Sequence, residues 1–407
     1  MDHGGREDRI PESGPSIENE ENMLKKLLIV HGGGPTAVLN ASLYGAIQYA
    51  KSQGIDEILG ARNGCAGLMN QDFIHLEGLS DEKLNLLLHT PGTALGSSRY
   101  PLEESDYQRI VEILEEQGIG FVLMNGGNGT MDTCGKLHKM CLSMGKKIKI
   151  MGIPKTMDND IAVTDHSPGF GSAARYMAQS VQELAADVKS LPIHVVVLEA
   201  SGRNAGWITA ASSLAEDRGP GADLIYLPEL AFDEDRFLTD VSTLLEKKKG
   251  ILVVASEGLH NKEGKPIVPP IFQTGRATYF GDVSAHLANL VIRKLGYKAR
   301  GEKPGLLGRA SILMQSPVDR REAEDVGRIA CQAVLDGETG KMVSIRRLST
   351  SPYQVEYELL DIEEVMLYER KIPKEFINAT GNGMTEAFKE WCRPLIGIDL
   401  PEMISFN

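Results

Sequence analysis

The chain has 407 residues, of which 42% are hydrophobic and 24% are charged, and its formal net charge is -13 at pH 7. Two domains are expected, because single hydrophobic cores stop growing at about 250–300 residues. The acidic balance argues against a nucleic-acid partner. No apolar run reaches the roughly 18–20 residues of a membrane span. The first residues are polar, and the five cysteines lack metal-binding or CxxC spacing, so we expect a cytoplasmic protein with reduced thiols and no membrane partner.

In chain order, residues 1–23 are rich in Gly, Pro, Glu and Ser without periodicity, which predicts a mobile tail. Short apolar runs then predict strands at 27–31, 121–125, 148–153, 195–198, 224–227 and 251–255. Helical patterns follow at 37–51, 106–116, 131–144, 173–190, 205–216 and 235–248. Strands that alternate with helices indicate parallel α/β sheets, and ligands of such sheets gather at the carboxyl ends of the strands.

Four polar, Gly-containing turns lie at those carboxyl ends. They read "HGGGPTAVLN" (31–40), "NGGNGTMDT" (125–133), "GIPKTMDND" (152–160) and "EASGRNAGW" (199–207). Glycine lets the backbone approach a phosphate closely, and the N–H groups at the start of a helix attract anions. The first turn is neither a Walker A loop nor a GxGxxG fingerprint, so taken alone it is equally typical of a structural turn.

The third turn carries the most specific chemistry. Asp158 and Asp160 are two residues apart in an extended or turn backbone, which directs both carboxylates to one side. One carboxylate can accept a proton from a substrate hydroxyl while the other orients it or holds a metal, and Lys155 can balance phosphate charge. An Asx-turn is the alternative interpretation. In the fourth turn, Arg203 offers a planar fork that suits two phosphate oxygens, with a solvated loop arginine as the alternative.

Together these turns, with the "PE" of "LIYLPEL" and the later "KAR" and "LGRAS", resemble the phosphofructokinase family in order from about residue 25 to 375. "NAGWITAAS", "GETGKMV" and "YERKIP" are similar to its long, pyrophosphate-dependent branch. The resemblance implies two Rossmann-like three-layer α/β/α domains with the active site in the cleft, and a homodimer or homotetramer. Residues 24–165, completed by about 303–345, would bind donor phosphate; residues 166–302 would bind sugar phosphate; residues 346–407 would form an extension that packs on the core.

The resemblance also implies residue roles. Asp158 would take the proton from the 1-hydroxyl of fructose 6-phosphate, with Lys155 and Thr156 as further catalytic residues. The donor would contact turn glycines, an amide and a lysine: Gly33, Gly127, Asn128, Gly129 and Lys155. The sugar phosphate would contact residues from several turns: Asp160, Ser201, Gly202, Arg203, Glu229, Arg300 and Arg309, one of the last two serving a neighbouring subunit. Mg²⁺ is the implied cofactor, with Asn128 and Asp158 as candidate ligands.

Two positions leave the substrates open. Relatives that use pyrophosphate usually have Asp at position 129 and Lys at position 155, whereas those that use ATP usually have Gly at position 129. A carboxylate there would obstruct the α-phosphate of ATP. Lys155 and the overall branch therefore favour pyrophosphate, and Gly129 keeps ATP as the alternative. Ser201 stands where relatives generally have Met, which leaves another sugar, sugar phosphate or polyol as an alternative acceptor.

Two other classes compete with this interpretation. An NAD-kinase-like enzyme is supported only by "GGNGT" and leaves "PKTMDND" unexplained. A catalytically silent paralogue that senses a phosphometabolite is supported by Asn128, Gly129 and Ser201. The presence of Asp158 opposes it, because a sensor has no need of a proton acceptor.

Overall fold

Two largely parallel β-sheets organise the protein. The computed structural model describes residues 26–191, 194–274, 277–366 and 368–404. The tail predicted at 1–23 lies outside these residues. Thirteen strands occur in the described part of the chain: β1 (Lys26–His31), β2 (Glu57–Ala61), β3 (Phe73–His75), β4 (Ile119–Gly126), β5 (Lys149–Pro154), β6 (Val195–Ala200), β7 (Leu224–Tyr226), β8 (Ile251–Ser256), β9 (Pro270–Thr274), β10 (Ala277–Phe280), β11 (Ala299–Glu302), β12 (Lys341–Thr350) and β13 (Tyr353–Asp361).

The helices pack on the faces of these sheets. Within the described ranges they are α1 (Leu39–Ser52), α2 (Cys65–Met69), α3 (Asp81–Leu86), α4 (Glu104–Glu116), α5 (Asn128–Ser143), α6 (Phe170–Ser190), α7 (Trp207–Ala211), α8 (Glu234–Leu245), α9 (Val283–Leu295), α10 (Leu307–Ala310), α11 (Pro317–Leu335), α12 (Ile362–Val365) and α13 (Glu386–Cys392). Short 3₁₀ segments follow at Leu87–His89, Ser212–Asp217, Lys374–Phe376 and Arg393–Ile396. No helix of the described ranges is long and apolar enough to span a membrane.

The first sheet has seven strands in the order β13-β12-β5-β4-β1-β2-β3, and the second has four in the order β11-β6-β8-β7. All pairings are parallel except those of the edge strands β3 and β13. Strands β9 and β10 form a separate antiparallel hairpin. The six predicted strands and the parallel α/β class are confirmed.

Hydrophobic clusters lie on both faces of each large sheet. Successive residues of a strand point to opposite faces, so the apolar residues of one strand contribute to two different clusters. Along β1, Leu27 and Ile29 belong to one hydrophobic cluster and Leu28 and Val30 to another. Strand β6 likewise divides its valines between two clusters on opposite faces of the second sheet. The architecture is therefore two three-layer α/β/α units, as expected.

The structure corrects one predicted helix and adds detail to the C-terminal extension. The helix expected at 205–216 is the short α7 followed by the 3₁₀ segment Ser212–Asp217. The extension predicted at 346–407 does more than pack on the core, because β13 hydrogen-bonds to β12 and forms an edge of the first sheet. Its aromatic side chains pack around Trp207 of the second unit, with Trp391 at a ring-centroid distance of 5.0 Å.

Candidate active site

A cavity of about 670 Å³ opens at the carboxyl edge of the first sheet. The edge is even because the parallel register pairs His31 with Asn125 and Gly126 with Pro154, so the turns that follow β1, β4 and β5 start side by side. Nine of the residues predicted from the sequence line the cavity: Gly33, Gly127, Asn128, Gly129, Lys155, Thr156, Asp158, Asp160 and Arg309.

Lys155 is the cation at the base of this cavity. Its side chain is only 3% exposed, and its Nζ donates a hydrogen bond of 2.5 Å to the carbonyl oxygen of Gly34. Burial lowers the pKa of Lys155 to about 8, with the positive charge of Arg309 acting in the same direction and Asp158 opposing both. Lys155 is therefore charged below about pH 8 and lies where it can neutralise phosphate oxygens.

Asp158 has the most shifted carboxyl group of the cavity. Burial, and then the negative charges of Asp160 and Glu257, raise its pKa to about 7, while Lys155 and Arg309 oppose the rise. A carboxylate with a pKa near neutrality combines a large ionised fraction with useful basicity, which suits a general base.

Residues 154–160 hold the side chains that the sequence predicts to be catalytic, and we name this segment the catalytic loop. Hydrogen bonds within it fix the two carboxylates. The Thr156 hydroxyl donates to Asp160 Oδ1 at 3.0 Å and accepts from the backbone N–H of Asp158 at 3.1 Å. Asn159, between them, has a positive φ of 55°, a conformation that Asn tolerates better than most residues. Its side-chain oxygen accepts from the backbone N–H of Ser167 at 3.0 Å, so the turn is tied to the segment that follows.

The glycine turn at the start of α5 is hydrogen-bonded to the catalytic loop at Asn128 and faces open space at Gly129. Asn128 Nδ2 donates to the carbonyl oxygen of Asp160 at 3.1 Å, whereas its Oδ1 is buried without a hydrogen-bond partner in the described structure. A Cβ atom added at Gly129 would meet nothing within 4 Å. The cavity continues beyond this point to Leu102 and Tyr107. The donor side therefore has space for a ligand larger than pyrophosphate.

Of the residues predicted for the sugar, Asp160 and Arg309 line the cavity. The acceptor-side residues Ser201, Gly202 and Arg203 lie instead at the carboxyl edge of the second sheet and do not line it. Ser201, Gly202 and Arg203 follow β6, and the backbone N–H of Gly202 donates to Glu257 Oε1 at 3.0 Å. The charge of Glu257 also raises the pKa of Asp158, so this loop lies on the side of the cleft that Asp158 faces. The Arg203 guanidinium stands 5.2 Å from the ring centroid of Phe280.

Glu229 and Arg300 occupy different ends of the second unit. Glu229 follows β7, where its Oε1 accepts from Gly206 N at 2.9 Å and its Oε2 is buried without a partner among the described residues. Arg300 pairs with Val196 near the start of β6, at the far end of that strand from Ser201. Its side chain is 61% exposed and forms an ion pair of 2.8 Å with Glu302. Arg300 therefore does not line the cavity of its own chain, whereas Arg309 does.

Sequence reasoning missed several residues of the site. Glu257 directly follows β8, so the carboxyl-end rule that found the other turns could also have found it. Tyr107 and Cys65 reach the cavity from helices that carry no phosphate motif. Buried His31 bonds to Thr93 Oγ1 at 2.7 Å through Nδ1, and burial together with Lys155 lowers its pKa to about 3.

The chain belongs to the phosphofructokinase family, whose model matches residues 26–334. It is 37% identical to a pyrophosphate–fructose 6-phosphate 1-phosphotransferase from Xanthomonas campestris pv. campestris, over 92% of each chain. It is 33% identical to a sulfofructose kinase from Alkalicoccus urumqiensis, over 92% of this chain and 96% of the relative. The crystal structure of a pyrophosphate-dependent phosphofructokinase from Nitrosospira multiformis superposes with a TM-score of 0.85 at 35% identity, covering 94% of this chain and 95% of that one.

Proposed function

We propose that the protein transfers a phosphoryl group from pyrophosphate to the 1-hydroxyl of fructose 6-phosphate, giving fructose 1,6-bisphosphate. The observation that carries the proposal is Asp158, a partly exposed carboxyl group with a pKa of about 7 that lines the donor cavity on the side of the second sheet. Family membership and the similarity to pyrophosphate-dependent relatives support the same reaction.

In this mechanism the ionised carboxylate of Asp158 accepts the proton of the sugar hydroxyl. The hydroxyl oxygen forms a new bond to phosphorus as the bridging P–O bond of pyrophosphate breaks, and inorganic phosphate leaves. Lys155, Arg309 and the backbone N–H groups at the start of α5 stabilise the phosphate oxygens. Such positioning and charge stabilisation supply most of the catalysis in phosphoryl transfer.

The donor side also suits Mg²⁺, an ion that takes oxygen ligands and usually binds through one or two carboxylates together with substrate phosphates. The unpartnered Oδ1 of Asn128 and the carboxylate of Asp158 are the oxygen ligands that we assign to it. No group of three or more His, Cys, Asp or Glu side chains in the described part of the chain could hold a metal by itself. When bound, Mg²⁺ would neutralise charge on the donor phosphates.

ATP is a second candidate donor because of the open space at Gly129. A cavity of about 670 Å³ is within the roughly 300–1,000 Å³ typical of sites for much larger ligands than pyrophosphate. Gly129 has no side chain that could obstruct an α-phosphate, and the space at its Cβ position is open to 4 Å. Lys155, which offers a charged hydrogen bond to a donor that has no nucleoside, is the reason for ranking pyrophosphate first.

Sulfofructose is a second candidate acceptor, because a sulfofructose kinase is among the similar proteins. Ser201 adds a hydroxyl at the acceptor side.

We assign donor binding to residues 24–165, completed by about 303–345, and acceptor binding to residues 166–302. Because Arg300 lies away from the cavity of its own chain, we infer that it serves the acceptor of a neighbouring subunit in a cytoplasmic homodimer or homotetramer.

A matrix of donors and acceptors tests the proposal. Pyrophosphate and ATP are each combined with fructose 6-phosphate, sulfofructose, sedoheptulose 7-phosphate, an unphosphorylated sugar and inositol in the presence of Mg²⁺. The highest kcat/KM is expected for pyrophosphate with fructose 6-phosphate. Turnover with ATP and none with pyrophosphate would reverse the choice of donor, and a higher kcat/KM for any other acceptor would replace fructose 6-phosphate.

A further inference from the structure

Four consecutive residues of the C-terminal extension, 369–372, run between the two edges of the cleft, and we name them the strap. On the side of the catalytic loop, the backbone N–H of Arg370 donates to the carbonyl oxygen of Asp160 at 2.9 Å. Glu369 forms an antiparallel bridge with Ile161, the residue that follows the loop. The strap therefore holds the backbone next to the catalytic carboxylates directly.

The same residues bind two groups of the acceptor side, the Asn204 amide and the Glu229 carboxylate. Both carboxylate oxygens of Glu369 accept from Asn204 Nδ2, at 3.1 and 3.2 Å, and Asn204 is the neighbour of Arg203. The backbone N–H of Ile372 donates to Glu229 Oε1 at 3.1 Å. Glu229 Oε1 therefore accepts from both the strap and Gly206 N, while its Oε2 is buried without a partner among the described residues.

Arg370 anchors the strap to the aromatic cluster beneath it. Its guanidinium lies 4.3 Å from the ring centroid of Trp207 and 5.5 Å from that of Trp391. Its carbonyl oxygen also accepts from Trp207 Nε1 at 3.4 Å. Stacking on two rings fixes the backbone of the strap, so the bonds at either side of Arg370 hold two loops from different sheets in one arrangement.

We infer that the strap positions the acceptor loop, residues 201–207, relative to the catalytic loop, and that Glu369 is the side chain through which it does so. This inference rests on the proposed phosphoryl transfer and concerns the same site. Glu369 touches neither the donor cavity nor the reacting atoms, so it acts as a positioning residue. Geometry of this kind matters because a misplacement of about 1 Å can cost roughly 10²-fold in rate.

The test is Glu369→Ala, with Glu369→Gln as the conservative variant and Glu375→Ala as the matched control on the same extension. Glu369 and Glu375 are both exposed, so all three variants should fold like the wild type. We expect Glu369→Ala to raise the acceptor KM about five- to tenfold, to lower kcat, and to leave the pyrophosphate KM within about twofold. Glu369→Gln should recover part of the loss, and Glu375→Ala should match the wild type.

A double-mutant cycle with Asn204→Ala isolates the contact itself. If the strap acts through Asn204, Glu369→Ala should change the acceptor KM by less than about twofold in the Asn204→Ala background. Unchanged acceptor kinetics in Glu369→Ala would overturn the inference, as would an equal rise of both KM values with a lower unfolding temperature. All variants are assayed with the donor and acceptor that the wild type turns over. If the proposed donor or acceptor is wrong, the wild-type assays show it before any variant is compared, so that failure is distinct from a failure of the strap inference. Calorimetric binding of fructose 6-phosphate supplies the same comparison without turnover.

Discussion

His166 lies in a buried network of charges just after the catalytic loop. Its Nδ1 contacts Asp165 Oδ2 at 2.8 Å and its Nε2 contacts Glu322 Oε2 at 2.6 Å. Burial alone would lower its pKa, but Glu322 and Asp165 raise it from 6.5 to about 9. The Tyr353 hydroxyl also donates to Glu322, and Arg347 pairs with Asp165. The imidazole is therefore a charged link between the loop, α11 and the C-terminal extension at neutral pH.

The contribution of His166 to the free energy of unfolding, in size and in sign, follows from the shift of its pKa. A rise from 6.5 to about 9 corresponds to about 3 kcal/mol at 1.36 kcal/mol per pKa unit. Because the folded-state pKa is the higher one, this stability is fully present below about pH 6.5 and is lost as the pH rises through about 9. Replacing His166 with Gln removes the titrating group, so the difference in unfolding free energy between wild type and variant should shrink by about 3 kcal/mol from pH 6 to pH 10.

Urea denaturation of both proteins across that pH range measures the difference. His75→Gln is the control, since His75 contacts Glu77 on the surface with its side chain 64% exposed, and an exposed pair contributes at most about 1 kcal/mol. A difference between wild type and His166→Gln that stays constant from pH 6 to pH 10 would refute the reasoning, because it would mean that His166 is neutral in the folded protein.

Three further outcomes concern the catalytic and donor residues. Asp160→Asn removes a charge that raises the pKa of Asp158, so the acid limb of kcat/KM against pH should move from near pH 7 to lower pH. Lys155→Met should raise the pyrophosphate KM at least about tenfold and remove the alkaline decline expected near pH 8, where Lys155 loses its proton. Gly129→Asp should reduce any ATP turnover at least about tenfold while the pyrophosphate KM changes less than about threefold, as steady-state assays with each donor will measure.

The donor half of the site could be predicted from the sequence because its determinants are local. Each turn directly follows an apolar strand, and parallel pairing then places Gly33, Gly127 and Asp158 at one edge without further information. The six predicted strands were confirmed for the same reason, since each is a short and predominantly apolar run. Ordered motifs of this kind also identified the family.

The remaining features depend on pairings between distant segments. That Arg300 sits beside Val196, away from the cavity, follows from the register of β11 on β6, which motif spacing does not reveal. Glu369 reaches Asn204 across 165 positions of the chain. Strand β13 did leave a signal, because Tyr353, Val355, Tyr357 and Leu359 alternate with other residues at the period of a strand, although the segment had been predicted only as part of an extension.

The central claim is that the Asp158 carboxylate accepts the proton of the sugar hydroxyl, and Asp158→Asn tests it most directly because the amide keeps the shape and loses the basicity. With pyrophosphate and fructose 6-phosphate, kcat should fall at least about 100-fold, the lower bound of a general base's contribution. Calorimetry should give a Kd for fructose 6-phosphate within about threefold of the wild type. A variant that keeps more than about a tenth of the wild-type kcat would contradict the account.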